Sequence, residues 1–148
     1  MLDDMIRKIC SQPGCVAFSG CSAEDIKKAD KDLTDNGFCA LPREYSAALQ
    51  IHNGIIYDGL EFLGTVSHKR IQKNYIVSSI LDINKRYSKI DFFARKLILG
   101  ELPESFLIYN GETQSYEIVD RLNLDSKRIF NSFNELLKII LSFLIIKD

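Results

Sequence analysis

The chain has 148 residues, 46% hydrophobic and 26% charged, and a net charge of −1. That length suits one domain, 1–148, able to bury a sizeable core, and the composition excludes a disordered chain. Near-neutral charge argues against a general nucleic-acid coat protein.

The charge is unevenly spread. From His68 to Lys96 the bases Lys69, Arg70, Lys73, Lys85, Arg86, Lys89, Arg95 and Lys96 face only Asp82 and Asp91. From Ile98 to Ser126, Glu101, Glu104, Glu112, Glu117, Asp120 and Asp125 face only Arg121. Such a dipolar field steers a partner even when the sum is near zero. The start, Met1-Leu2-Asp3-Asp4-Met5, lacks the basic region and apolar block of a secretory signal, so a cytoplasmic location is expected. Leu136 to Ile146 is about half of what a bilayer span needs and is interrupted by Lys138. No membrane association is expected.

In chain order, Leu2 to Ser11 predicts a short helix, with Leu2, Met5, Ile6 and Ile9 at helical spacing. Pro13-Gly14 stops it, and Val16-Ala17-Phe18 is a brief apolar segment. Ser22 predicts an N-cap, with Glu24 and Asp25 suited to a first turn. Ile26, Ala29 and Leu33 form the apolar stripe, and Asn36-Gly37 the exit. A third helix starts at Leu41-Pro42, turns Tyr45, Ala48, Leu49 and Ile51 inward, and is expected to end at Asn53-Gly54.

Ile55-Ile56-Tyr57, Asp58-Gly59 and Leu60 to Gly64 predict a small hairpin. His68 to Tyr75 reads equally as loop or irregular strand. Ile76 to Tyr87 predicts a helix, on Ile76, Ile80, Ile83 and Tyr87. A strand block runs from Lys96 to Asp120 with Asn110-Gly111 in its reversal, where positive φ is cheap. There Tyr116, Ile118 and Asp120 alternate with Glu117 and Val119, which predicts a sheet with one wet face. Ser132 to Ile146 predicts a helix opened by a Ser132/Glu135 capping box. It is apolar nearly all round, so the expectation is core on one side and a homodimer contact on the other.

No catalytic or metal signature stands out. His52 and His68 are the only histidines, and neither has acids at ligand spacing. Cys10, Cys15, Cys21 and Cys39 lack paired-Cys zinc spacing and are expected to be reduced, inert thiols. A Cys39–His52 nucleophile pair has no local support. Glu101 and Glu104 bracket Leu102-Pro103 and read as a solvated turn, and no glycine spacing fits a phosphate loop. The basic residues with Tyr75 and Tyr87 suggest phosphate contact and base stacking only if they share a face, so nucleic acid is a poor expectation. The acidic stretch is the better candidate. Glu101, Glu104, Glu112, Glu117 and Asp120, with Tyr57, Tyr109 and Tyr116 as aromatic anchors, are read as a protein-binding surface for a basic partner.

Three pieces carry a family resemblance: Leu41-Pro42-Arg43-Glu44-Tyr45 leading to His52-Asn53-Gly54; Phe62-Leu63-Gly64; and Leu97 through Tyr109, then Tyr116 to Arg121, ending in Phe130 and Phe133-Asn134-Glu135-Leu136-Leu137. Their order and separation, over roughly residues 22 to 141, resemble the SUKH superfamily, which holds the fungal Smi/Knr cell-wall-synthesis regulators and bacterial YrhA-like proteins. The chain departs from many members in having no Trp. The resemblance implies an α+β fold: N-terminal helices, a mainly antiparallel sheet with an inserted helix, and a C-terminal helix packed on it. It also implies a non-catalytic, cofactor-free role. Many bacterial members are immunity proteins that neutralise a toxin, often a nuclease, whereas the fungal relatives are regulatory scaffolds.

Overall fold

The computed structural model describes residues 2–70 and 75–145. Its architecture is α+β. Among the described residues, seven strands form one antiparallel sheet in the order β1-β2-β3-β6-β7-β8-β9, and β4 pairs with β5 apart from it. The strands are β1 (Val16–Ser19), β2 (His52–Tyr57), β3 (Leu60–Phe62), β4 (His68–Arg70), β5 (Tyr75–Val77), β6 (Lys96–Leu102), β7 (Ser105–Asn110), β8 (Ser115–Asp120) and β9 (Ser126–Phe130). The helices are α1 (Leu2–Cys10), α2 (Ala23–Asp35), α3 (Arg43–Ile51), α4 (Ile80–Arg86) and α5 (Phe133–Leu144).

The helix starts obey local chemistry. Ser22 and Asp25 complete a reciprocal capping box on α2. Ser132 Oγ accepts the Glu135 N–H at α5, while the Glu135 carboxylate reaches back to the Asn131 N–H rather than to residue 132. The N-terminus of α5 is also held from a distance: Glu44 Oε1 accepts the Phe133 N–H at 3.1 Å and the Tyr116 hydroxyl at 3.3 Å.

One sheet face carries α3 and α5. Tyr45 on α3 is fully buried, its ring edge-on to Phe133, and its hydroxyl donates to Leu63 O with Leu99 O as a second acceptor. Tyr116 meets Phe133 from the sheet. α1 packs against α3 and α5, so Phe133, Leu136, Leu137, Ile140 and Leu141 are all buried within one chain. Intramolecular packing thus explains most of the apolar coat of α5. Phe143, 48% exposed, remains outside.

Three sequence expectations are corrected. α3 does not stop at Asn53-Gly54. The chain passes straight into β2, where Gly54 takes φ +119° against Phe18 and the Asn53 side chain binds Thr65 through both its amide atoms. The helix expected from Ile76 begins at Ile80: Ser79 is its N-cap, accepting the Asp82 N–H, and Ile76 lies in β5, 62% exposed. The wet face expected for β8 is covered, since Ser115 to Val119 are all buried. Tyr87, the C-cap of α4, and Phe93, from the 3₁₀ turn Asp91–Phe93, pack edge-on or tilted against one another and against Phe106 on that second face. α4 also fills a notch. Where β3 ends, the Asn84 side chain takes over the edge of β6, exchanging hydrogen bonds with the N–H and C=O of Ile98.

The open segment His68 to Tyr75 resolves into the ends of two strands, β4 and β5, with 71–74 outside the described residues. The helix predicted from Ser132 runs to Ile146, which also lies outside them.

Candidate functional site

Antiparallel pairing puts the β2–β3, β6–β7 and β8–β9 turns at the same end of the sheet. These turns form a continuous rim. Asp58 (φ +47°) and Gly59 (φ +88°) make the first, the positive-φ pair that a two-residue hairpin favours. Pro103 and Glu104 make the second, and Arg121 to Asp125 the third.

The turns are tied to each other. A Cβ on Gly59 would lie 2.9 Å from Pro103 Cγ, so only glycine fits there. The Arg121 N–H donates to Glu104 O at 2.9 Å. The Arg121 guanidinium pairs with Glu101 Oε1 at 3.0 Å, donates to Leu102 O at 3.2 Å, and stacks with its Cζ 4.6 Å from the Phe106 ring centroid. Asp120 Oδ1 accepts the N–H groups of Leu122 and Asn123, and Lys127 approaches Oδ2 at 3.5 Å. The two backbone N–H groups, Asn123 first, hold the Asp120 carboxyl below its ordinary value.

Leu122 stands at the apex of the third turn, 95% exposed. A depression lies on each side of it, both sharing Arg121. One, of about 350 Å³, is lined by Pro103, Glu104 and Asp120. The other, of about 280 Å³, is lined by Tyr87, Ile90, Phe93, Phe106 and Leu124. The first is acidic at its margin and the second is apolar, with aromatic walls.

Of the eight residues expected to bind a partner, the rim brings together four: Tyr57, Glu101, Glu104 and Asp120. Tyr57 is the last residue of β2, half-buried beside the first turn. Glu104 is exposed, while Glu101 is half-buried under Arg121. Glu112 sits in the β7–β8 turn at the opposite end of the sheet, paired with Arg95 at 3.2 Å beside a hollow of about 290 Å³ that includes Cys39. Tyr109 packs tilted against Tyr116 on the helix-covered face, and burial raises its phenol above its ordinary value.

Tyr116 and Glu117 are corrected outright as surface residues. Tyr116 is 2% exposed, wedged between Phe133 and Tyr109, its phenol raised first by burial and then by Glu44. Glu117 is 4% exposed on the opposite face, 3.7 Å from Lys96 Nζ and accepting from Asn110 Nδ2 at 3.0 Å. Alternation along β8 gave no sign of the second cover, because the residues that supply it lie about two dozen positions upstream.

Leu122 was missed because one leucine in a turn carries no periodic signal. Its flanking Asp120 and Asn123 are the available clue, both side chains being of the kind that caps a tight turn.

The remaining candidate chemistry is dispersed. His52 Nδ1 bonds Phe18 O, and His68 stacks on the Phe18 ring with Nε2 on Asn53 O. Cys39 lies by Gly111 and not by His52. Of the basic residues, Lys96 is committed to Glu117 and Arg95 to Glu112, and Lys73 lies outside the described residues. Among the described residues no cluster of three metal-ligating side chains occurs, and no helix is long and apolar enough to cross a membrane. No family model matches the sequence, and no relative is found among curated proteins.

Proposed function

We propose that this chain is a non-catalytic, cytoplasmic binding protein of SUKH type, an immunity protein that neutralises a cognate toxin by covering its basic working surface. The observation that carries this reading is the rim: the turns after β6 and β8 are tied together and set Glu104, Asp120 and Asp125 beside a single projecting leucine, with Glu101 paired to Arg121 and Asp120 near Lys127. An acidic margin accelerates encounter with a basic partner. Leu122 supplies the apolar contact such an interface needs at its centre. The element order that the resemblance implies, helices first, then an antiparallel sheet with an inserted helix and a terminal helix on it, supports the same reading. A nuclease fits as the partner because it presents a basic face to its own substrate.

The tagged chain, expressed in its cell of origin, is used to capture the partner, and growth of cells producing that partner is scored with and without this chain. Association kinetics are then compared for wild type, Glu104→Lys and Leu122→Asp. Glu104→Lys slows association severalfold at low salt, with the difference shrinking as salt rises. Burial of a leucine is worth about 1.5–3 kcal/mol, so Leu122→Asp weakens binding about 10- to 100-fold, mostly in dissociation. Full neutralisation by the doubly substituted chain, with unchanged kinetics, overturns the assignment of the rim. Cells that produce the partner and grow unharmed without this chain overturn the immunity role.

A further inference from the structure

The seven-stranded sheet has two edges, β1 and β9, and they are built differently. β1 is four residues long and shifts register between Ala17 and Ser19, and its Phe18 ring is stacked on His68 with centroids 3.7 Å apart. A short, bulged and covered strand is how natural sheets blunt an edge. Among the described residues β9 shows none of this from Arg128 onward. Arg128, Ile129 and Phe130 pair in step with Ile118, Glu117 and Tyr116, and the one register shift lies before them. Ser126 to Ile129 are all exposed, Ile129 by 65%. An antiparallel strand turns the backbone groups of alternate residues towards each neighbour. β9 has β8 alone, so its outward N–H and C=O groups are, among the described residues, without a protein partner.

The side chains of β9 define what can pair there. Ile129 stands opposite Glu117 on one sheet face and Arg128 opposite Ile118 on the other. Lys127 reaches Asp120 Oδ2 at 3.5 Å, whereas Arg128 has no acidic partner among the described residues and lies 5.6 Å from the Phe130 ring centroid. A second copy fits this edge poorly. In a two-fold antiparallel pair the central residue faces its own copy, so centring on Lys127 or Arg128 sets base against base. Centring on Ile129 leaves the two Arg128 side chains as diagonal neighbours on one face, and centring on either end of the strand overlaps too few residues. Lysine and arginine on an edge deter neutral or basic strands. They attract an acidic one, so the same two residues select the partner by its charge.

We infer that β9 is a docking edge for an extended acidic segment of another protein, which adds antiparallel to it and lengthens the seven-stranded sheet by one strand. Main-chain hydrogen bonds to the outward groups of β9 hold the segment, and an acid beside Arg128 with an apolar neighbour beside Ile129 makes the contact selective. The inference does not rest on the rim reading, which calls for a basic partner surface.

The probe is a capped pentapeptide, Thr-Val-Glu-Glu-Thr, whose antiparallel register sets its valine opposite Ile129 and its glutamates opposite Arg128 and Lys127. It is titrated to millimolar concentration into the isotope-labelled full chain and followed by NMR. Amide shifts should concentrate at Ser126 to Phe130, with slowed hydrogen exchange there, and the affinity should fall severalfold as salt rises. Two further peptides carry N-methyl groups on alternate residues, one in each frame. The frame whose N–H groups face β9 should lose binding and the other should keep it, because a strand bonds to one neighbour through every second residue. Arg128→Glu should weaken the parent peptide about three- to tenfold, and a peptide with lysine in place of the first glutamate should recover that loss. Leu122→Asp, which disables the rim, should leave the peptide's affinity unchanged. Absence of shifts at β9, equal tolerance of the two methylated frames, or a dimer of the free chain in sedimentation that Ile129→Lys dissociates overturns the inference.

Discussion

Lys96 and Glu117 form an ion pair inside the sheet face covered by residues 87–93, and the cost of breaking it follows from their surroundings. Their side chains are 17% and 6% exposed, with Nζ and carboxylate 3.7 Å apart. Lys96 Nζ also stands 3.7 Å from the centroid of the Phe92 ring. At an effective dielectric of about 20, two unit charges at that separation attract by about 4 kcal/mol. Removing each ion from water costs several kcal/mol, so the intact pair is close to neutral in net stability. A half-pair has no such balance. Lys96→Met strands the Glu117 carboxylate with only Asn110 to meet it, and should cost about 3–5 kcal/mol, a fall in melting temperature of about 6–20 °C for a chain of this size. Glu117→Leu should cost less, about 1–3 kcal/mol, because the flexible Lys96 stem can carry its ammonium towards water. The double variant Lys96→Met/Glu117→Leu should return to within about 1 kcal/mol of wild type. Urea unfolding followed by circular dichroism measures all three, with a common m-value required for the comparison. Single variants that each cost under about 1 kcal/mol, with a double variant equal to their sum, would refute the reasoning.

Two further outcomes test other parts of the structure. Glu44→Ala leaves the Phe133 N–H at the start of α5 and the Tyr116 hydroxyl without their acceptor, at a cost of about 1–3 kcal/mol in urea unfolding; Glu44→Gln, which keeps an acceptor oxygen, should recover at least half. Asp120 ionises below its ordinary value in the fold, so its contribution is fully present above the unfolded value and is lost as the pH falls below about 4. The urea midpoint of Asp120→Ala should accordingly lie below wild type at neutral pH and converge with it in acid; a gap that persists unchanged in acid contradicts the role given to the two turn N–H groups.

Where the sequence signal is local, it was legible. Asp58-Gly59 gives the hairpin turn it predicts, Ser22 and Ser132 cap the helices they precede, and the block from Lys96 to Asp120 is three paired strands. Misreadings arise where one local signal competes with packing from elsewhere. Asn53-Gly54 looks like a helix stop, but both residues are buried in β2, the Asn side chain serving Thr65 and the Gly giving room to Phe18. Ile76 has helical spacing to Ile80, yet the Ser79 cap places it outside α4. The candidate site suffered most, because membership depends on strand order. Glu101, Glu104 and Asp120 come together only through the β6–β7–β8 register, and the same register sends Glu117 inward and Glu112 to the far end.

The internal bonding of the rim bears on how it would bind. Glu61 and Glu101 face each other directly across β3 and β6, an arrangement of like charge that weakens a sheet. Arg121 offsets it by pairing with Glu101, and the same residue's N–H fastens the third turn to the second. An acidic surface is thus concentrated without loosening the turns that present it. Asp120 completes the arrangement by tying down the N–H of Leu122, so that the leucine is held out in water by its own backbone. Ordering a loop on binding costs free energy that a fastened loop has already spent in folding. Under the binding reading, Arg121 and Asp120 therefore act less through contact with the partner than by keeping Leu122 and Glu104 in one geometry, and their removal would slow productive docking even for a partner that never touches them.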